Sequence, residues 1–159
     1  MAWAKLGTTT LASSGDTLDS GTITGNKFLQ TLYHSLPTGD VIGNLTVNSD
    51  SGSNYAYRFS DGGGTDSTQT SKALLEIGTS ATSNDEFAVI YTINISTEEK
   101  LFIVFDVGQN AINAGTVPRR RELVGKWANT SNQITKETFT NVQSGSFNTD
   151  TNISVLGTD

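Results

Sequence analysis

The stretch that most constrains this chain is Glu86–Asp106, EFAVIYTINISTEEKLFIVFD, in which two apolar runs flank the charged break Thr97-Glu98-Glu99-Lys100. In the first run Phe87, Val89, Tyr91, Ile93 and Ile95 alternate with Ala88, Ile90, Thr92 and Asn94. That is the two-residue period of a strand with one buried face. The second run, Leu101-Phe102-Ile103-Val104-Phe105, is apolar at every position, as expected of a strand covered on both faces. Both runs are short and rich in β-branched and aromatic residues, which excludes a membrane-spanning helix and favours adjacent strands at the centre of an all-β core.

The rest of the chain supports that class. Eleven candidate strands follow from apolar or β-branched runs: Ala2–Leu11, Thr17–Thr24, Lys27–Leu36, Val41–Asn48, Tyr55–Ser60, Ala73–Ile77, Glu86–Ile95, Lys100–Val107, Glu122–Thr130, Gln133–Val142 and Asn152–Leu156. Turn signals rich in Gly, Asn, Asp and Ser separate them, among them Gly25-Asn26, Ser49–Ser53, Asp61–Asp66, Ser83-Asn84-Asp85 and Ser144-Gly145. No long helical pattern intervenes, and no linker or repeat divides the 159 residues. The expectation is one domain, residues 1–159, folded as an antiparallel β-sandwich of jelly-roll type.

Charge and composition exclude several function classes. The net charge of −6 argues against nucleic-acid binding, which needs a basic surface to displace counterions. The absence of cysteine removes disulfides, thiol catalysis and thiolate metal sites. The opening MAWAKLGTTTL has no apolar h-region, so a secretory signal is not expected, and neither is membrane insertion. The single histidine, His34, shares a strand face with Phe28 and Leu32, the placement of a packed or edge residue rather than a catalytic base. With the carboxylates mostly in turns, no catalytic residue is assigned and the chain reads as a non-enzyme.

Three groups of residues remain as candidates. Asn48–Asn54 alternates oxygen-bearing side chains around Gly52, and Asp61–Asp66 follows, so calcium, if bound, would take Asp50, Asp61 and Asp66; the bidentate Glu that closes such loops is missing. Hairpin turns explain both segments without a cofactor. Tyr55, Tyr57 and Phe59 fall on one strand face, either as core filling or as a sugar-stacking row. In the second case the glycan contacts are Tyr55 and Tyr57 with Asp50, Asn54, Asp61 and Asp66 from the flanking loops. The third group is Arg119-Arg120-Arg121, a receiver for acidic surface of a neighbouring subunit or a charged strand edge, with Trp127 as a core residue or intersubunit anchor.

The C-terminal third carries a resemblance. Lys126-Trp127-Ala128-Asn129-Thr130-Ser131-Asn132-Gln133-Ile134-Thr135, then Ser144-Gly145-Ser146-Phe147, then Asn152-Ile153-Ser154-Val155-Leu156-Gly157, resembles the closing part of small jelly-roll modules in tailed-phage virion proteins. Leu45-Thr46-Val47-Asn48-Ser49-Asp50-Ser51-Gly52-Ser53-Asn54-Tyr55 resembles a strand–turn–strand hairpin of the same modules. Leu18-Asp19-Ser20-Gly21-Thr22-Ile23-Thr24 with Lys27-Phe28-Leu29 is similar to the start of marine-phage proteins of this length. The resemblance implies a multicopy virion structural protein, on capsid, tail or fibre, made in the host cytoplasm. Its partners would be copies of itself, other virion proteins and, in the alternative reading as a recognition module, host-surface glycan.

Overall fold

The structure, a computed structural model, describes residues 2–82 and 84–159, residues 79–82 by backbone only. Twelve strands are described: β1 (Ala4–Thr10), β2 (Thr17–Asp19), β3 (Phe28–Ser35), β4 (Asp40–Val47), β5 (Tyr55–Asp61), β6 (Ser67–Lys72), β7 (Leu75–Thr82), β8 (Glu86–Ile93), β9 (Lys100–Gly108), β10 (Arg119–Trp127), β11 (Glu137–Thr140) and β12 (Asn152–Thr158). They form an eight-stranded sheet, β1-β12-β3-β8-β9-β10-β5-β6, and a four-stranded sheet, β2-β11-β4-β7, with every pairing antiparallel. The pairs nest: β5 with β6, β4 with β7, β3 with β8, β2 with β11 and β1 with β12. A ribbon of paired strands rolled up in this way is the jelly-roll winding. The β9–β10 strands are inserted between β8 and β5 and widen the large sheet.

Alternation builds the core between the sheets. The small sheet contributes Leu18, Leu45, Val47, Leu75, Ile77 and Phe139, and the large sheet answers with Leu29, Tyr33, Ala88, Ile90, Phe102, Val104, Leu123, Trp127, Ile153 and Val155, all buried. Tyr33 stacks on Phe139 at 4.0 Å between ring centroids and meets Phe147 edge-on at 6.3 Å. Gly43 on β4 makes room for this ring, since a Cβ there would sit 2.8 Å from the Tyr33 hydroxyl.

Several boundaries depart from the sequence reading, each for a local reason. Strand β6 has the sequence STQTSK and pairs only with β5, so an exposed polar edge strand left no apolar signal. Strand β11 covers only Glu137–Thr140, whereas Gln133–Val142 was expected. Ahead of it, side chains replace a neighbouring strand. The Ile134 N–H donates to Asn94 Oδ1 (2.6 Å), the Thr135 N–H donates to Asn48 Oδ1 (2.8 Å), and Asn48 Nδ2 donates to the Gln133 carbonyl (2.8 Å). Strand β10 begins at Arg119 and lies between β9 and β5, so the arginine cluster is not on a sheet edge. In the expected turn Ser83-Asn84-Asp85, Ser83 lies outside the described residues.

Candidate functional site

The two apolar runs that anchor the fold also create its most unusual surface. On β8 the buried set is Glu86, Ala88, Ile90 and Thr92, while Phe87, Tyr91 and Ile93 point away from the core and are exposed. On β9, Phe102, Val104 and Asp106 face inward, while Leu101, Ile103, Phe105 and Val107 face outward. The strand expected to be covered on both faces is covered on one, because the four-stranded sheet packs only on the inner side. Register places the outward residues side by side: Phe87 with Val107, Val89 with Phe105, Tyr91 with Ile103, Ile93 with Leu101. Val124 on β10 adjoins Ile103, and Phe28 on β3 adjoins Ile93.

At the Ile93–Leu101 end of this apolar stripe the face hollows into an open trough of about 870 Å³, with Phe28, Tyr91, Ile93, Leu101 and Ile103 in its lining and Trp3 and Gln69 at its flanks. At the other end lie Phe105, 54% exposed, Phe87 and Val107. Toward the β10–β5 flank the charged residues are paired: Lys126 with Glu99 of the β8–β9 turn (2.8 Å), Arg120 with Glu122 (3.4 Å) and Arg58 with Asp66 (3.5 Å). An apolar centre with a polar rim is the anatomy of a protein interface. Sequence reasoning missed the face as a site, although the run Leu101–Phe105, apolar on both faces, was its signal.

The residues proposed for glycan or calcium are placed elsewhere and apart. Loop 49–54 precedes β5 and loop 62–66 follows it, so the seven residues of that strand hold the loops about 20 Å from each other. Asp50 therefore cannot join Asp61 and Asp66 in one metal shell, and among the described residues no group of three potential ligands forms one. Tyr55 and Tyr57 are buried, so they fill the core and offer no stacking row. Asp50 is occupied within its turn: its carboxylate accepts from Trp127 Nε1 (2.7 Å), Asn54 Nδ2 (2.9 Å) and the Gly52 N–H (2.8 Å). The Trp127 bond leads the effects that hold its pKa below the usual carboxylate value, against the opposing effect of burial. Trp127 itself is buried, an internal residue and not an intersubunit anchor.

Of the three arginines only Arg120 is exposed. Arg121 is buried, and its guanidinium donates to Asp61 (2.7 and 3.1 Å) and to the Glu76 carboxylate (3.2 Å) while lying 4.3 Å from the Phe59 ring centroid. It closes the end of the sandwich from inside. Next to it lies a carboxyl pair that the sequence did not announce, Glu86 and Asp106, both buried on neighbouring strands. Burial raises the pKa of each, and the charges of Arg119 and Arg121 act in the opposite direction. Gly78, at φ +80°, makes room for this pair, since a Cβ there would collide with the Glu86 carboxyl. His34 and Glu86 border a smaller cleft of about 350 Å³ with Phe87, Val107 and Gln109.

Comparison with family models, curated proteins and solved structures finds no match to this chain.

Proposed function

We propose that this chain is a non-enzymatic building block of a larger assembly, a virion structural protein of the tailed-phage type that its motifs resemble. The observation that carries the reading is the outer face of β8 and β9. A sheet that is apolar on both sides asks for a third layer, and this fold supplies only two. Exposed apolar patches of this extent are uncommon on free monomers and mark surfaces that become covered. The other chemistry-bearing residues are spent on architecture: Asp50 holds Trp127, Asp61 holds Arg121, and the Glu86–Asp106 pair lies buried between the sheets. The exposed surface of the trough is predominantly apolar, aromatic as well as aliphatic, with Arg58, Gln69 and Lys126 among its polar lining, which favours a polypeptide over a glycan.

Quantitative mass spectrometry of purified particles of the virus that encodes the chain tests this reading. The expected result is the chain present in many copies per particle. Its absence from particles overturns the reading.

A further inference from the structure

Resting on that reading, we infer that the layer covering the β8–β9 face is the same face of a second copy of this chain, related by a two-fold axis running across the strands near Ile103. Register, charge and area on this face support a second copy over an unrelated partner.

The register admits such an axis. Along β9, Leu101 and Ile103 line the trough and Phe105, 54% exposed, lies outside it, with Leu101 and Phe105 two residues to either side of Ile103. A two-fold across the strands reverses their direction while keeping each strand over its counterpart. It therefore sets Phe105 of one copy over the trough at the partner's Leu101, and the reciprocal contact follows by symmetry. On β8 the same operation sets Ile93 over the partner's Val89. Two sheets can approach face to face at about 10 Å in this arrangement, with their side chains interdigitating.

Charges on β10 suit the same operator. On β10, Val124 is level with Ile103, Lys126 with Leu101 and Glu122 with Phe105. Reversal about the Ile103–Val124 level brings Lys126 opposite the partner's Glu122, twice per dimer, and sets Arg58 of β5, already paired with Asp66 at 3.5 Å, over its own copy. The protein carries a net charge of −6, yet the outward row of each central strand, β8 and β9, holds no carboxylate. Like-charge repulsion between copies is therefore lowest where this face meets itself.

The area is sufficient. Phe28, Phe87, Tyr91, Ile93, Leu101, Ile103, Phe105, Val107 and Val124, with Trp3, are each about a third to a half exposed. Together they present on the order of 800 Å² of surface, the share one partner contributes to a standard specific interface.

Static light scattering on the purified chain, with two variants, decides the matter. The wild-type chain is expected to be a dimer or an even-numbered oligomer of dimers. Phe105→Asp places two buried charges in each symmetric interface and is expected to raise the dissociation constant roughly a hundredfold or more. Its far-ultraviolet circular dichroism should stay that of the wild type, since Phe105 contributes nothing to the inner core. Because the chain has no cysteine, Ile103→Cys carries a unique thiol, and a short bis-maleimide about 10 Å in span, matched to face-to-face sheet spacing, should link two copies through it. A monomer at 100 µM overturns the inference, as does an oligomer indifferent to Phe105→Asp and not linked through position 103. If the chain is monomeric yet abundant in particles, another virion protein covers the face and the structural reading stands. If it is also absent from particles, both fail.

Discussion

At the scale of single residues, the fold depends on polar side chains sealed inside it. Glu137 is wholly buried between the sheets, where it accepts a hydrogen bond from the Thr31 hydroxyl at 2.7 Å. Burial raises its pKa from 4.5 to about 7. A carboxyl whose folded-state value lies above the unfolded one favours folding in its neutral form. That contribution is complete below about pH 4.5 and is lost as the pH rises through about 7, a difference on the order of 3 kcal/mol. Glu137→Gln keeps an acceptor for Thr31 and cannot ionise, so the stability gap between variant and wild type should widen in the variant's favour from pH 4.5 to 8. Urea unfolding at several pH values measures it; a constant gap would mean that Glu137 titrates normally. Asn94, also buried, donates to the carbonyls of Asn26 and Ile134 and accepts from the Ile134 N–H. Asn94→Ala strips three backbone groups of their partner and should cost about 3 kcal/mol or more in the same experiment.

At the scale of elements, β9 separates two roles within one run of five apolar residues. Phe102 faces the four-stranded sheet and Ile103 faces away from it. Phe102→Asp buries an unpaired charge and should abolish soluble expression, whereas Ile103→Asp should fold with little loss of intrinsic stability. Soluble yield distinguishes the two, with a thermal melt of the Ile103→Asp protein, and equal behaviour would contradict the assigned faces. The sequence made the existence of β8 and β9 plain, yet it did not say which of their two apolar faces was inward. The larger side chains, Phe87 and Tyr91, turn outward, and the smaller Ala88 and Thr92 turn inward. Periodicity reports alternation; the choice of side is made by what packs there, here a sheet of only four strands. The polar β6 was illegible because it is an edge strand, and β11 was expected too long because asparagine side chains, not a neighbouring strand, hold the segment ahead of it.

For the whole molecule, punctuation by turns was enough to give an all-β sandwich, because many short strands without helices leave few alternatives. The candidate site was harder to read. Glycine-rich, acidic loops look like ligand sites in a sequence, but loops 49–54 and 62–66 are kept at opposite ends by the strand between them. The carboxyl pair Glu86–Asp106 was invisible because its members are twenty residues apart and meet only through the register of β8 on β9. The surface that distinguishes this protein is instead made of residues any reader assigns to a core.

The nested pairing of the strands also sets a timetable. The innermost pair, β5 with β6, can close early during synthesis, and each outer pair must wait for a later segment. Strand β1 ends at Thr10 and pairs with β12, which begins at Asn152. At ordinary ribosomal speeds it waits for roughly 10–30 s before its neighbour emerges. During that interval β4 and β7, which precede β8 in the chain, are available to cover the inner face of β8 and β9, while the outer face of these strands stays bare. The outer face of β8 and β9 is therefore an aggregation hazard from the moment it emerges until a further layer covers it.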